Sequence, residues 1–133
     1  MVVSEAMKPR PDQRAATWLE SQAPANCYVS ALTIGEISFG IARLPTPGTQ
    51  RDDLHRWLHA VLIPGFADRI INFDIDAAVA WGELLAASRE RGTTLPIIDA
   101  QIAAIAKTRK LTLVTRNTRH FAELGIDIID PWA

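Results

Sequence analysis

Glu36, Asp99 and Asn117 are oxygen-bearing side chains that each fall just after a short β-type run or in the helix that follows one. Carboxylates gathered within a few ångströms raise one another's pKa unless a cation neutralises them, so such a set points to a metal. Oxygen-only donors suit Mg2+ or Mn2+ rather than zinc. An ion held in this way can activate water and stabilise charge on a phosphodiester during in-line displacement. That chemistry needs no nucleophilic Ser or Cys, and none stands with a suitable base. No glycine-rich phosphate loop is present, which argues against a nucleotide-binding α/β domain.

Each residue also has a plainer reading. Glu36 is the only acid between Tyr28 and Gln50, with Leu32, Phe39 and Gly40 as helical neighbours; a Glu on the rim of an amphipathic helix would look the same. Asp99 opens the run Ala100–Ala106 and is well suited to be its N-cap. Asn117 ends a strand candidate, where Asn commonly closes a turn. Arg116 beside it could meet a phosphate. The stretch from Lys107 to His120 holds Lys107, Arg109, Lys110, Arg116 and Arg119 and no acid. It could follow a phosphate backbone or simply be a solvated helix end. His55 and His59 have zinc-capable i, i+4 spacing, but no Glu follows His55 as HExxH requires, so they read as surface residues. His120 near Arg119 could touch RNA, but reads more plainly as a solvated loop histidine. Trp18, Trp57, Trp81 and Trp132 read as core or interface.

The elements that must position these residues alternate between helices and short apolar runs. A turn at Pro9-Arg10-Pro11-Asp12 leads into a helix from Gln13 to about Ala23 that buries Ala16 and Leu19. Cys27–Val29 reads as a strand. Ser30 caps a helix whose Ile34, Ile37, Ile41 and Leu44 form one stripe. The Pro45–Gly48 loop follows, and then a helix from about Gln50 to Leu62, stopped by Pro64-Gly65. Ile70–Phe73 reads as a buried strand. Asp74 caps a helix whose Ala78, Gly82, Leu85 and Ala86 face inward and which Gly92 ends. A helix from Ile98 to Arg109, a strand at Leu111–Thr115 and a strand at Ile126–Ile129 complete the chain. This alternation predicts an α/β fold, with helices on both faces of a central parallel sheet. In such sheets chemistry gathers beyond the carboxyl ends of the strands.

A length of 133 residues predicts one domain, and 48% hydrophobic with 22% charged residues is globular composition. The single Cys27 cannot form an internal disulfide. No apolar run approaches the roughly 20 residues that cross a bilayer, and the first residues do not read as a signal peptide. The expectation is a soluble cytoplasmic protein with no membrane partner. A net charge of −1 neither demands nor excludes nucleic acid.

Four segments together resemble the PIN-domain ribonucleases, specifically VapC-type toxins of bacterial toxin–antitoxin pairs. They are Val2–Pro9, Ser30–Gly40, Ile98–Ala106 and Thr115–Phe121, with Pro131-Trp132 closing the chain. The resemblance spans nearly the whole length in order. It implies one PIN-like domain over residues 1–133, a three-layer α/β/α arrangement and Mg2+- or Mn2+-dependent cleavage of RNA. It also implies homodimers, and inhibition by a partner antitoxin of the type II class that binds promoter DNA as well. Glu36 matches the family's second acid and Asp99 its third, both as catalytic metal ligands. Asn117 takes the place of the fourth acid, where many relatives are neutral, and Arg116 is placed to hold RNA phosphate.

The front of the chain departs from the pattern. The family opens with a hydrophobic strand ending in Asp-Thr-Asn directly before the segment matching Val2-Val3-Ser4-Glu5; here Met1 takes the Asn position. Glu5 matches a Glu after that motif and is not taken as the first ligand. Three or four buried strand side chains at about 1.5–3 kcal/mol each are comparable with a whole domain's stability of about 5–15 kcal/mol. The expectation is therefore that the true start lies upstream, through a mis-assigned start codon or a shortened chain. Rival readings are a catalytically silent PIN-like module that still dimerises and binds an antitoxin, and a small-molecule nucleotidase.

Overall fold

Two polar side chains set where the long helices begin. Ser30 Oγ accepts the Leu32 N–H at 3.0 Å and starts α2, Ala31–Ala42. Asp74 Oδ1 accepts the Ala77 N–H at 2.9 Å and starts α5, Ile75–Glu90. Both satisfy N–H groups that a helix leaves without intrahelical partners, and both caps are where the sequence places them. These details come from a computed structural model, which describes residues 13–45 and 48–132. The Pro9–Asp12 turn, the Val2–Pro9 segment with Glu5, and Thr46-Pro47 within the expected loop lie outside the described residues.

The remaining elements follow in chain order. Helix α1 is Gln13–Ser21, strand β1 is Val29–Ser30, and helix α3 is Thr49–Trp57. A π-helical turn, Leu58–Leu62, joins α3 to α4, Ile63–Phe66, and strand β2 is Ile70–Ile71. After α5 come α6, Ile97–Arg109, β3, Leu113–Val114, α7, Thr118–Phe121, and β4, Ile128–Ile129. Among the described residues no helix is long and apolar enough to cross a membrane.

The chain divides into two compact units: Pro24–Asn72 is one, and α1 joins everything from Phe73 onward in the other. Each contains a parallel strand pair. In the Pro24–Asn72 unit Val29 lies opposite Ile70 and Ser30 opposite Ile71. In the other unit Leu113 lies opposite Ile128 and Val114 opposite Ile129. The parallel α/β character matches the sequence reading, but each strand is only two residues long.

The core of the larger unit is built from Leu84, Ala103, Ala104, Phe121 and Leu124, with Trp81, Leu95, Leu113 and Ile128 packed against it. Ala100, Ala103 and Ala104 are fully buried, so the face of α6 that they form carries almost no side-chain bulk and a neighbour can approach its backbone closely. Helix α5 is that neighbour, and it runs antiparallel. Asp74 at its start pairs with Arg109 at the end of α6, Nη2 to Oδ2 at 3.3 Å.

Three expectations are corrected here. The buried row of α5 is Ala77, Leu84 and Ser88 with Trp81 half-buried between them, while Gly82 and Ala86 are exposed. Small apolar residues surround this helix, so periodicity is weak and the bulky Trp81 and Leu84 decide the face. In α1 the fully buried residue is Ala15, with Ala16 and Leu19 only half-buried. Pro64-Gly65 does not stop the third helix, which runs on to Phe66. Proline lacks an N–H and its ring clashes with the carbonyl four residues back in a regular helix. The π turn just before it widens the helix and removes that conflict.

Candidate active site

Asp99 is the third residue of α6, whose N-cap is Pro96. It is therefore not the helix cap that its sequence position allows. A carboxylate in the first turn still gains from the positive end of the helix dipole, about 0.3–1 kcal/mol at an exposed site. Its neighbour Ala100 is fully buried and anchors the turn in the core, while Ile97 and Ile98 are exposed. The Asp99 side chain is 21% exposed, at the border between the two.

The β3–α7 segment supplies the other half. After β3, Thr115 Oγ1 accepts the Asn117 N–H at 3.1 Å, which closes a tight turn. Asn117 then stands as the N-cap of α7 without a side-chain capping bond, and its carbonyl accepts the His120 N–H at 3.1 Å. Phe121, next in line, is 3% exposed and fixes α7 into the core. This short rigid path carries the His120 ring to Asp99, with Nδ1 2.6 Å from Oδ2. A carboxylate only accepts, so the nitrogen facing it is the donor: Nδ1 carries the proton and Nε2 lies on the far side of the ring.

Asp99 and His120 thus come together across α6 and α7, and Asn117, at the start of α7, belongs to the same unit. Arg116 is exposed, and its guanidinium lies over the Trp132 ring, 5.4 Å from the centroid. Such a contact is worth about 0.5–1 kcal/mol at an exposed site and holds the guanidinium plane in place. Glu36 is half-buried on α2 and belongs to the other unit. His55 and His59 are both exposed, as the sequence reading has them, with ring centroids 4.4 Å apart.

The contact between His120 and Asp99 is what sequence reasoning missed. His120 reads as a loop histidine because nothing local ties it to a carboxylate 21 residues away. The available signal was its place three residues after Asn117, directly before the apolar Phe121.

Asp99 and Asn117 offer hard oxygen donors, the right kind for Mg2+ or Mn2+. Among the described residues no three His, Cys, Asp or Glu side chains gather closely enough to hold a metal ion. Asp99 alone does not complete a ligand set.

Comparison with known proteins agrees with the fold. The family model of the PIN domain matches residues 2–126. The VapC ribonuclease Y4jK of Sinorhizobium fredii (strain NBRC 101917 / NGR234) is 34% identical over 131 residues, covering 98% of this chain and 93% of its own. Toxin FitB of Neisseria gonorrhoeae (strain ATCC 700825 / FA 1090) is also 34% identical over 131 residues, 98% of this chain and 94% of its own. A solved structure of FitAB bound to an IR36 DNA fragment superposes with a TM-score of 0.93 at 32% identity, covering 99% of this chain and 92% of that one. With a family match over nearly its full length and relatives of this identity and coverage, the chain belongs to the PIN-domain family.

Proposed function

We propose that this protein is a metal-dependent endoribonuclease, the toxin of a bacterial type II toxin–antitoxin pair, acting in the cytoplasm as a homodimer and restrained by a cognate antitoxin. The observation that carries the reading is the Asp99–His120 pair, a carboxylate held in a defined orientation at the start of a core helix. The relatives named a VapC ribonuclease and a toxin support it. So does the structure of FitAB with DNA, in which the chain's structural counterpart is part of a complex.

On this reading Asp99 and Glu36 are ligands for Mg2+ or Mn2+, together with the first Asp of the family's Asp-Thr-Asn motif, which the extended chain below supplies. A bound divalent ion would supply an activated water and charge stabilisation at the scissile phosphate. The chain's own groups do the rest. Asn117 would complete the pocket with an amide oxygen, and Arg116, steadied on Trp132, would meet a phosphate oxygen of the RNA.

The second reading is a silent module that dimerises and binds an antitoxin. Assay of the chain as it stands, beside one extended at the N-terminus by the family's apolar strand and Asp-Thr-Asn, separates the two. Mg2+-dependent cleavage of RNA by the extended chain, abolished by Asp99→Ala, is the outcome expected. If neither chain cleaves while antitoxin binding persists, the silent module is correct. Hydrolysis of mononucleotides but not RNA would overturn the ribonuclease reading as well.

A further inference from the structure

We propose that the groove between α1 and the turn after β4 is a base pocket, in which Trp18 stacks an unpaired nucleobase of the RNA strand whose phosphate Arg116 holds. The proposal rests on the ribonuclease reading above and adds to it how the strand is recognised. No metal ion takes part in it.

Gln13, Arg14, Thr17 and Trp18 form one wall of the groove, and Asp130 and Pro131 form the other. Its volume is about 400 Å3, near the lower end of the roughly 300–1,000 Å3 typical of small-molecule sites. That is room for one ring system and its sugar, not for a packed helix. Trp18 is only half-buried and supplies a flat aromatic surface. Polar groups stand around it. Gln13 Nε2 donates to Thr17 Oγ1 at 3.2 Å. The Asp130 carboxylate accepts the Trp132 N–H through Oδ1 at 2.9 Å, which leaves Oδ2 for another donor. An aromatic face with hydrogen-bonding groups at its edge is how single-stranded RNA is read: the base stacks and its edge is recognised. A carboxylate only accepts, so Asp130 favours a base with an exocyclic amino group, such as cytosine, over uracil.

The place of the groove joins it to the phosphate contact. Strands β3 and β4 run parallel, and the Thr115 N–H bonds Ile129 O at 3.0 Å, so both strands end at one edge. Arg116 follows β3 there, and Asp130 and Pro131 follow β4. The Arg116 guanidinium lies over the ring of Trp132, the residue after Pro131. Trp132 is 6% exposed, so the core anchors the wall that it carries. A phosphate on Arg116 and a base on Trp18 therefore belong to one stretch of strand.

The test uses the full chain in EDTA, with short fluorescent oligocytidine and oligouridine and binding followed by anisotropy. The wild type is expected to prefer oligocytidine. Trp18→Leu keeps apolar bulk but no aromatic face, and is expected to weaken oligocytidine by about 5–150-fold. Trp18→Phe keeps most of the affinity. Asp130→Asn still accepts the Trp132 N–H but turns an amide donor to the base, and erases the preference for cytidine. Arg116→Gln weakens both oligonucleotides alike and lowers the salt dependence. Thermal unfolding shows that each variant is folded.

A wild type that binds neither oligonucleotide refutes the RNA reading and takes this proposal with it. Binding that responds to Arg116→Gln but not to Trp18→Leu refutes the base pocket alone. Equal affinity of the wild type for the two oligonucleotides overturns the part given to Asp130. If Trp18→Leu spares RNA but breaks antitoxin binding, the groove holds a protein segment and the base pocket is wrong.

Discussion

Lys110 and Gly92 occupy equivalent places at the ends of two packed helices, and only one of them is suited to it. After α5, Gly92 lies at φ +72°, its N–H bonds Arg89 O at 3.0 Å, and the Thr93 N–H bonds Ser88 O at 3.0 Å. After α6, Lys110 lies at φ +55°, its N–H bonds Lys107 O at 3.3 Å, and the Leu111 N–H bonds Ala106 O at 2.9 Å. Both are left-handed terminations of the Schellman kind, but a side chain there is strained. Lys110→Gly is therefore expected to stabilise the protein by about 1 kcal/mol, and Gly92→Ala to destabilise it by a similar amount. A Cβ at Gly92 meets nothing within 4 Å, so the second effect is conformational rather than steric. Urea denaturation of the two variants checks both signs; the same sign in both would contradict the argument. The stop at Gly92 was legible because glycine announces a left-handed position, whereas Lys110 carries no such signal. The Asp99–His120 contact was illegible for a related reason: each residue has an ordinary local explanation, and only the fold joins them.

Helix α5 shows what patterning can and cannot settle. Asp74 was legible as its cap because Asp before an apolar run has one main use at a helix start. Its buried row was not, since alanines lie on every side and nothing in their spacing selects a face. The structure also gives Asp74 a second task, with Oδ1 on the Ala77 N–H and Oδ2 facing Arg109. The two tasks can be separated. Asp74→Ala loses both and is expected to cost about 1 kcal/mol, most of it the cap. Asp74→Asn keeps the cap and loses an exposed ion pair worth about 0–1 kcal/mol, so thermal unfolding is expected to find it close to wild type. In the Pro24–Asn72 unit, Arg69 does comparable joining work. Its guanidinium donates to Cys27 O at 2.8 Å and Gly65 O at 2.7 Å and lies over the Phe66 ring. Arg69→Met keeps an apolar stem on Phe66 but abandons both carbonyls, and a loss of about 2 kcal/mol is expected. Arg69→Lys is not expected to recover it, because one ammonium cannot reproduce the planar fork that serves two acceptors. Full recovery by Lys in urea denaturation would show that charge alone matters there.

At the scale of the whole chain, the order of weak motifs was enough to identify the family, while the packing that makes the candidate site rigid had to be seen. Alternating helices and apolar runs fixed the α/β class, and the strands were overestimated because β propensity does not report where pairing stops. The site stands on the core of the larger unit: Phe121 belongs to the same core cluster as Ala103 and Ala104, and it sits one residue from His120. Substitutions at the site and beneath it should therefore separate function from folding. Phe121→Ala is expected to cost about 3–5 kcal/mol, a large share of the roughly 5–15 kcal/mol that holds a domain together. The displaced α7 would then also lose the His120–Asp99 bond. Asp99→Asn removes a charge near the surface and is expected to change stability by about 0.5 kcal/mol or less, while abolishing metal-dependent RNA cleavage by the extended chain. Denaturation curves and cleavage assays on both variants test this together. If Asp99→Asn proves as unstable as Phe121→Ala, the carboxylate is part of the scaffold, and the loss of cleavage would say nothing about chemistry.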